Sequence, residues 1–293
     1  MSFEQKGQYR WVVCALLFFA TTINYIDRQI LALIKEFLDA ELGWSNATFG
    51  WVNGAFQLSY AVGLLLFGWF VDRFGTKIGY ATSIVLWSVA AMSHALVGSV
   101  NGFFAARVFL GVSEGGNFPA AIKAVALWFP KKERAFATAL FNAGTNVGAI
   151  IAPAMIPAIA LTFGWRWAFI LAGLAGFVWL FFWFPMYDVP EKRKGLTRTE
   201  FELIHSDKDE GGIGGRPMGW TRALKLPQTW SFLTAKFLTD PVWWFFLIWL
   251  PDYFKATRGL SIKTSWIHIV TIYTIVTVLS IAGGCSGIRS LMA

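Results

Sequence analysis

The feature that most constrains this chain is a series of apolar runs, each long enough to cross a bilayer as a helix. A spanning helix needs about 20 mostly apolar residues. Such runs lie at approximately 11–34, 47–71, 78–97, 103–128, 136–161, 167–187, 230–254 and 265–284. Because backbone polar groups in lipid must be satisfied within a spanning helix or a closed barrel, these long runs predict an all-α membrane protein.

Composition and charge distribution agree with that prediction. Charged residues make up only 14% of the 293 residues, whereas soluble domains carry about 25%. The formal net charge is +8, but the basic residues lie in short loops between apolar runs and not on one face. This distribution argues against nucleic-acid binding. Most loop Lys and Arg residues lie on the side of the N-terminus, so the positive-inside rule predicts a cytoplasmic N-terminus in the cell inner membrane.

Loop lengths suggest how the helices are grouped. The connections are short except for one polar stretch, in which Thr197 and Glu200 fit a capping box. That stretch predicts a short amphipathic helix, which either only connects two bundles as a solvated helix or has a regulatory role. The resulting division is a six-helix transmembrane bundle (1–187), a cytoplasmic loop (188–229), the first two helices of a C-terminal bundle (230–284) and an atypical tail (285–293).

A turn rich in glycine and charge joins the second and third apolar runs. It reads Gly68-Trp69-Phe70-Val71-Asp72-Arg73-Phe74-Gly75-Thr76-Lys77, and these residues are called the gate motif below. Its glycines permit a tight turn and close helix approach. Asp72 can form an ion-pair cluster with Arg73 and Lys77 at the helix ends, and the alternative is an ordinary basic turn.

Ionisable residues also occur inside the apolar runs. Asp27 and Arg28 lie in the first run, and Arg107 and Glu114 lie in the fourth. Such residues are costly in a bilayer and usually face a polar cavity. Seven residues advance a helix by about two turns, so Arg107 and Glu114 share a face roughly 10.5 Å apart. The two runs therefore predict a polar interior cavity.

Each of these charges also has a simpler structural interpretation. If the first helix ended near Ile26, Asp27 and Arg28 would lie at the membrane interface. Arg107 either neutralises Glu114 or Asp27 as a structural pair or contacts a ligand, and the two roles are compatible. Glu114 is followed by glycines and a proline, which allow a helix to bend. Glu114 is therefore predicted to lie at a point of movement, with a purely structural role as the alternative.

Several of these strings resemble known families. The gate motif resembles the best-known signature of the major facilitator superfamily. Within that superfamily, the chain resembles the anion:cation symporter family, which includes bacterial hexuronate transporters, over about residues 9–284. The strings that carry this second resemblance are Asn24-Tyr25-Ile26-Asp27-Arg28, Arg107 with Glu114-Gly115-Gly116, and Trp128-Phe129-Pro130-Lys131-Lys132-Glu133-Arg134.

The resemblance implies the major facilitator fold and a role for each matching residue. The family arginine that matches Arg28 binds the substrate carboxylate, to which a guanidinium offers a planar fork. The acids that match Asp27 and Glu114 carry the coupling proton, and the arginine that matches Arg107 pairs with them. Tyr25 and Tyr60 match positions near the substrate, where they either bind sugar hydroxyls or form the cavity wall. The gate-motif residues that would latch the inner gate are Gly68, Asp72, Arg73, Gly75 and Lys77.

The function implied by the resemblance is secondary active transport. We expect proton-coupled symport of small organic anions such as the hexuronates glucuronate and galacturonate, with an aldonate as an alternative cargo. The partners would be a small anionic sugar acid and the lipid bilayer, with no nucleic acid, and a complete protein would be a monomer. No phosphate-binding loop, metal cluster or nucleophile triad is evident, so we expect no enzyme, no metal and no cofactor besides the coupling ion H⁺.

The end of the sequence departs from the family pattern. A complete family member has twelve helices. Residues 285–293 do not resemble the family at this point and look like the unrelated residues that a frameshift would produce. We therefore expect a C-terminal bundle truncated after two helices. A non-transporting truncated membrane module is the alternative function.

Overall fold

The computed structural model describes residues 7–206, 220–260 and 264–277. Within these ranges the chain is helical and contains no strand, which confirms the predicted all-α class. Two short 3-10 helices lie at His94–Leu96 and Pro190–Lys192. The α-helices are α1 (Tyr9–Leu33), α2 (Lys35–Leu42), α3 (Asn46–Phe74), α4 (Thr76–Ser93), α5 (Val100–Glu114), α6 (Asn117–Trp128), α7 (Lys131–Phe163), α8 (Trp165–Met186), α9 (Arg198–His205), α10 (Trp220–Ala223), α11 (Pro227–Arg258) and α12 (Thr264–Thr277).

Within the described ranges, four helices are long and apolar enough to cross a membrane by length and composition, namely α1, α3, α7 and α8. Large apolar side chains cover the outside of the bundle, for example Leu65 on α3 and Phe181 on α8. Broad exposed apolar surface is rare on soluble monomers, so this surface suits contact with lipid.

The first helix does not end near Ile26, as it would if Asp27 and Arg28 lay at the membrane interface. It continues without a break from Tyr9 to Leu33, and both Asp27 and Arg28 are buried. An early end near Ile26 does not occur, so these two charges lie inside the bundle.

The fourth predicted span is not one helix. The sequence predicted a single span over 103–128, but α5 ends at Glu114 and α6 begins at Asn117. Pro119 has no N–H group and so cannot bond to the carbonyl of Gly115. Gly115 and Gly116 also pack closely on neighbouring helices, where a side chain would collide with Gly63 and Ser83 respectively. The break therefore lies immediately after Glu114.

Glycines set the closest helix contacts. α1 lies against α7, where Gly144 and Gly148 leave no room for a side chain beside the backbone of Phe18 and Thr22. α3 lies against α5 in the same way, through Gly63 and Gly111. Such small-residue seams let helix backbones approach in membranes, and here they bring α1 close to α7 and α3 close to α5.

The predicted amphipathic helix is present as α9 and is docked on the bundle. Thr197 caps it by accepting a hydrogen bond from the backbone N–H of Glu200. Glu200 is buried against Arg10 at the start of α1, which also pairs with Glu133. Ile204 of α9 is buried in the core. The alternative of an isolated solvated helix is therefore wrong.

The predicted segments 188–229 and 230–284 are covered only in part. α11 begins at Pro227, three residues before the predicted start. The tail at 285–293 lies outside the described residues, as do 207–219 and the end of the last predicted span.

Candidate functional site

Four charged side chains meet in the interior of the bundle. Asp27 and Arg28 come from α1, and Arg107 and Glu114 come from α5. All four are buried, and they interact electrostatically with one another. The two apolar runs that carried charges in the sequence thus contribute to one site.

The pairing within this cluster differs from the predicted one. Glu114 accepts a hydrogen bond from Nε of Arg28 at 2.6 Å. Arg107 has no carboxylate within 4 Å among the described residues. The reason is geometric, because residues seven apart on one helix are about 10.5 Å apart along the axis. Arg28 approaches Glu114 from the opposing helix and makes the contact instead.

Several polar atoms of the cluster are buried without a hydrogen-bond partner in the described part of the chain. They are both carboxylate oxygens of Asp27, Oε1 of Glu114, Nη2 of Arg28, and Nε and Nη2 of Arg107. Buried polar groups are nearly always satisfied, and an unpaired buried charge is especially costly. The carboxylate oxygens of the cluster can therefore still take up a proton, and its guanidinium groups can still bind an anion.

Aromatic rings surround the guanidinium of Arg28. Its central carbon lies 4.2 Å from the ring centre of Tyr60, 5.1 Å from Tyr25, 5.2 Å from Trp244 and 5.5 Å from Phe56. Each ring is within the range of a cation–π contact. This set of four rings is called the aromatic cage below.

Two members of the aromatic cage were not predicted from the sequence. Phe56 lies one turn before Tyr60 on α3, so its i, i+4 spacing could have indicated a shared face. Trp244 belongs to α11, and nothing in the sequence distinguished it from the adjacent Trp243. Tyr25 and Tyr60, which the resemblance places near the substrate, both lie beside Arg28.

The gate motif forms different ion pairs from those expected. Gly75 has φ of 82° and makes the turn between α3 and α4, a conformation that favours glycine. Asp72 pairs with Lys123 of α6 at 2.7 Å, and Lys77 pairs with Asp188 at 3.1 Å. Asp72 and Lys77 therefore form their ion pairs with residues of other segments and not within the expected cluster with Arg73. Packing of the helices brings those other residues within reach.

Gly68 has a different setting from Gly75. It lies inside α3, and a Cβ there would meet nothing within 4 Å among the described atoms. Close helix approach is therefore not what this glycine provides here.

A second set of ion pairs lies at the opposite end of the bundle, around α2. This end is called the far side, and the end where α1 begins is called the N-side. Lys35 of α2 pairs with Asp252 of α11 at 3.0 Å, and Lys255 lies 3.7 Å from Glu36. The sequence did not single out these residues. They tie the first six predicted spans to α11.

Glu41 of α2 is fixed at the same end. It accepts hydrogen bonds from the indole of Trp165 at 2.6 Å and from Arg166 at 2.8 Å. These two donors lower the pKa of Glu41. The carboxylate therefore stays charged and holds α2 against α8.

No group of three or more His, Cys, Asp or Glu side chains within the described ranges is arranged to hold a metal ion. The chemistry available at the interior site is that of carboxylates, guanidinium groups and aromatic rings.

Apolar helices long enough to span a bilayer, packed around a buried cluster of two acids and two arginines, are the features of a multi-pass membrane protein with a charged interior. The model of the Major Facilitator Superfamily matches residues 17–291, and the chain belongs to this family. The predicted family and the predicted multi-pass membrane protein are thereby confirmed. The family and the curated relatives point to a transporter and not to an enzyme.

Curated relatives point to one branch of the family. The chain is 33% identical to the hexuronate transporter of Escherichia coli (strain K12), covering 87% of this chain and 59% of the relative. It is 30% identical to the galacturonate transporter of Dickeya chrysanthemi, covering 89% and 76%. It is 28% identical to the D-galactonate transporter of Escherichia coli O6:H1, covering 88% and 62%. The chain thus spans about six tenths of the hexuronate transporter that it resembles.

Solved structures agree on the fold. A bacterial homologue of the human lysosomal transporter Spinster, inward-facing and unoccupied, superposes with a TM-score of 0.76 at 19% identity, covering 97% of this chain and 64% of that one. A D-xylose–proton symporter superposes with a TM-score of 0.73 at 15% identity, covering 96% and 70%. At these identities the likeness shows the fold alone.

Proposed function

We propose that this protein is a proton-coupled symporter of small sugar-acid anions, with hexuronates as the first candidate cargo. The observation that carries the proposal is the setting of Arg28. Its guanidinium is buried, held at one edge by Glu114 and surrounded by the aromatic cage, while Nη2 has no hydrogen-bond partner among the residues that the structure describes. Relatives that carry the names of hexuronate, galacturonate and galactonate transporters support an anionic sugar as the cargo.

The substrate carboxylate would bind at Arg28. A guanidinium presents a planar set of donors that suits a carboxylate, and such charge-assisted bonds are stronger than neutral ones. One donor is already used by Glu114. A substrate carboxylate would therefore share Arg28 with Glu114 or displace it.

Proton coupling would follow from that competition. When Glu114 takes up a proton, its charge is lost and it holds Arg28 less strongly, which leaves the guanidinium available to the substrate. Asp27 lies in the same cluster with both oxygens unpartnered, so a proton there removes a costly buried charge. Arg107 would balance whichever acid remains charged. Binding of the anion and of the proton would thus favour each other.

We place the N-side in the cytoplasm and the protein in the cell inner membrane. This orientation puts most loop Lys and Arg residues inside, as the positive-inside rule expects. The pairs of Asp72 with Lys123 and of Lys77 with Asp188 would then lie at the cytoplasmic end. Alternating access in this family is a rocking of two bundles around a central site.

An aldonate is the second candidate cargo. The similarity to a D-galactonate transporter favours it, and Arg28 would bind its carboxylate in the same way. Competition of unlabelled galactonate against labelled glucuronate would rank the two anions.

The test is uptake of labelled glucuronate into proteoliposomes that contain the purified protein. We expect saturable uptake that Arg28→Ala abolishes. Arg198→Ala is the matched control, because this arginine is exposed on α9 and pairs with Glu202 across one helical turn of the same helix. If Arg28→Ala left saturable uptake unchanged, the proposed carboxylate site would be wrong.

A further inference from the structure

A cavity of about 610 Å³, which is broadly open to its surroundings, lies between α3 and α11. Its volume is in the range of small-molecule sites, which are mostly apolar with a few well-placed polar groups. The polar groups here are Asn53 and Gln57 on α3 and Lys236 and Asp240 on α11. The function proposed above uses none of them.

Trp244 connects this cavity to the charge cluster. It is part of the cavity wall, and its ring also lies 5.2 Å from the guanidinium carbon of Arg28. Tyr25 stacks against it with the ring planes at 22° and the centres 6.2 Å apart. A ligand that reached from the cavity to Arg28 would therefore pass along Trp244.

The polar lining suits hydroxyl groups. The Nε2 atom of Gln57 is buried without a hydrogen-bond partner. The amide of Asn53 is fixed by its own bond to the carbonyl of Phe49, which leaves its oxygen to accept. Lys236 and Asp240 form a pair at 2.9 Å that offers both a donor and an acceptor.

We propose that this cavity binds the sugar ring of a cyclic sugar acid, with Trp244 stacked on the ring. The inference rests on the proposed function only in that Arg28 is taken to hold the carboxylate. A pyranose ring has a face of C–H groups that packs well on the negative face of an aromatic ring. An open-chain acid of the same length has no rigid face of this kind. Trp244 is therefore the residue that distinguishes cyclic from open-chain acids.

The experiment measures binding of glucuronate and of gluconate to the purified protein in nanodiscs. Both are monoacids of six carbons, and only glucuronate closes into a pyranose ring. For Trp244→Ala we expect at least a tenfold greater loss of affinity for glucuronate than for gluconate, because any effect on the aromatic cage around Arg28 is shared by both anions. Trp244→Phe keeps an aromatic face and should recover most of the glucuronate affinity.

The matched control is Trp243→Ala. Trp243 is the adjacent residue on α11, but it packs on Tyr273 and is not part of the cavity wall. This variant should change the binding of neither anion.

Three results would overturn the inference. Trp244→Ala that weakened both anions equally, or neither, would show that Trp244 does not recognise a ring. With either of these two outcomes, the proposed function would still stand if Arg28→Ala abolished binding of both anions in the same assay. A wild-type protein that bound neither anion would overturn both the cavity inference and the proposed function.

Discussion

Nε of Arg28 lies 2.6 Å from Oε2 of Glu114, and the two side chains are 2% and 0% exposed. This ion pair links the first helix to the half of the broken fourth span that ends at Glu114. It places the residue that would bind an anion against the residue that would carry a proton.

Loss of one partner of this pair should be more damaging than loss of both. Removing one partner of a buried ion pair typically costs about 3–5 kcal/mol, whereas replacing both by apolar residues is often nearly neutral. We therefore expect a large drop in the thermal unfolding midpoint in detergent for Glu114→Ala. The double variant Arg28→Met with Glu114→Leu should lose much less. Equal losses in the single and the double variant would contradict this account of the pair.

The break after Glu114 depends on close contact between α3 and α5. A Cβ at Gly115 would collide with the backbone of Gly63 and Leu64, and backbone cannot move aside as a side chain can. We expect Gly115→Ala to reduce the free energy of unfolding by about 1–3 kcal/mol, the usual cost of overpacking. Gly68→Ala is the control, since its Cβ would meet open space and alanine favours a helix by about 0.5–1 kcal/mol. A Gly115→Ala protein as stable as Gly68→Ala would refute the close contact.

Docking of α9 on the N-side should depend on Glu200. This carboxylate is buried and accepts hydrogen bonds from the backbone N–H and the guanidinium of Arg10. We expect Glu200→Ala to increase the rate of limited proteolysis within α9 several-fold. Glu202→Ala should have little effect, because its pair with Arg198 is exposed and water screens the attraction between the two charges. Equal proteolysis of the two variants would mean that Glu200 does not fasten the helix.

Closure of the far side should depend on the pair of Lys35 with Asp252. Ser265 is 4% exposed beside this pair, so Ser265→Cys can report on access from that side after Cys14 and Cys285 are replaced by serine. We expect Asp252→Asn to speed its reaction with a membrane-impermeant maleimide several-fold. Glu41→Gln is the control, because Glu41 holds α2 to α8 and not to α11. Unchanged labelling in Asp252→Asn would show that the ion pair does not close this end.

The sequence was most informative where physical constraints are local. Apolar runs and interruptions by charge predicted the helices and the four residues of the buried cluster, since charge inside a bilayer is too costly to be accidental. The capping box at Thr197 predicted where α9 begins. The Pro119 and glycine signals after Glu114 indicated a bend, although the fourth span was predicted as one helix.

The partners of these residues were not predictable from spacing alone. Glu114 pairs with Arg28 and not with Arg107, and Asp72 pairs with Lys123 and not with its neighbours in the gate motif. Both choices depend on which helices lie side by side in the folded bundle, and spacing along a single helix does not reveal that. Trp244 was missed for the same reason, because only packing of α11 against α1 brings it to Arg28.

The central claim is that Glu114 carries the proton that drives anion uptake. The measurement that tests it most directly compares two modes of labelled glucuronate transport in proteoliposomes, namely uptake driven by an acidic outside pH and exchange at equal pH. The account predicts that the wild-type protein does both, and that Glu114→Gln keeps exchange but loses stimulation by acid. Absence of acid stimulation in the wild-type protein, or its persistence in Glu114→Gln, would contradict the account.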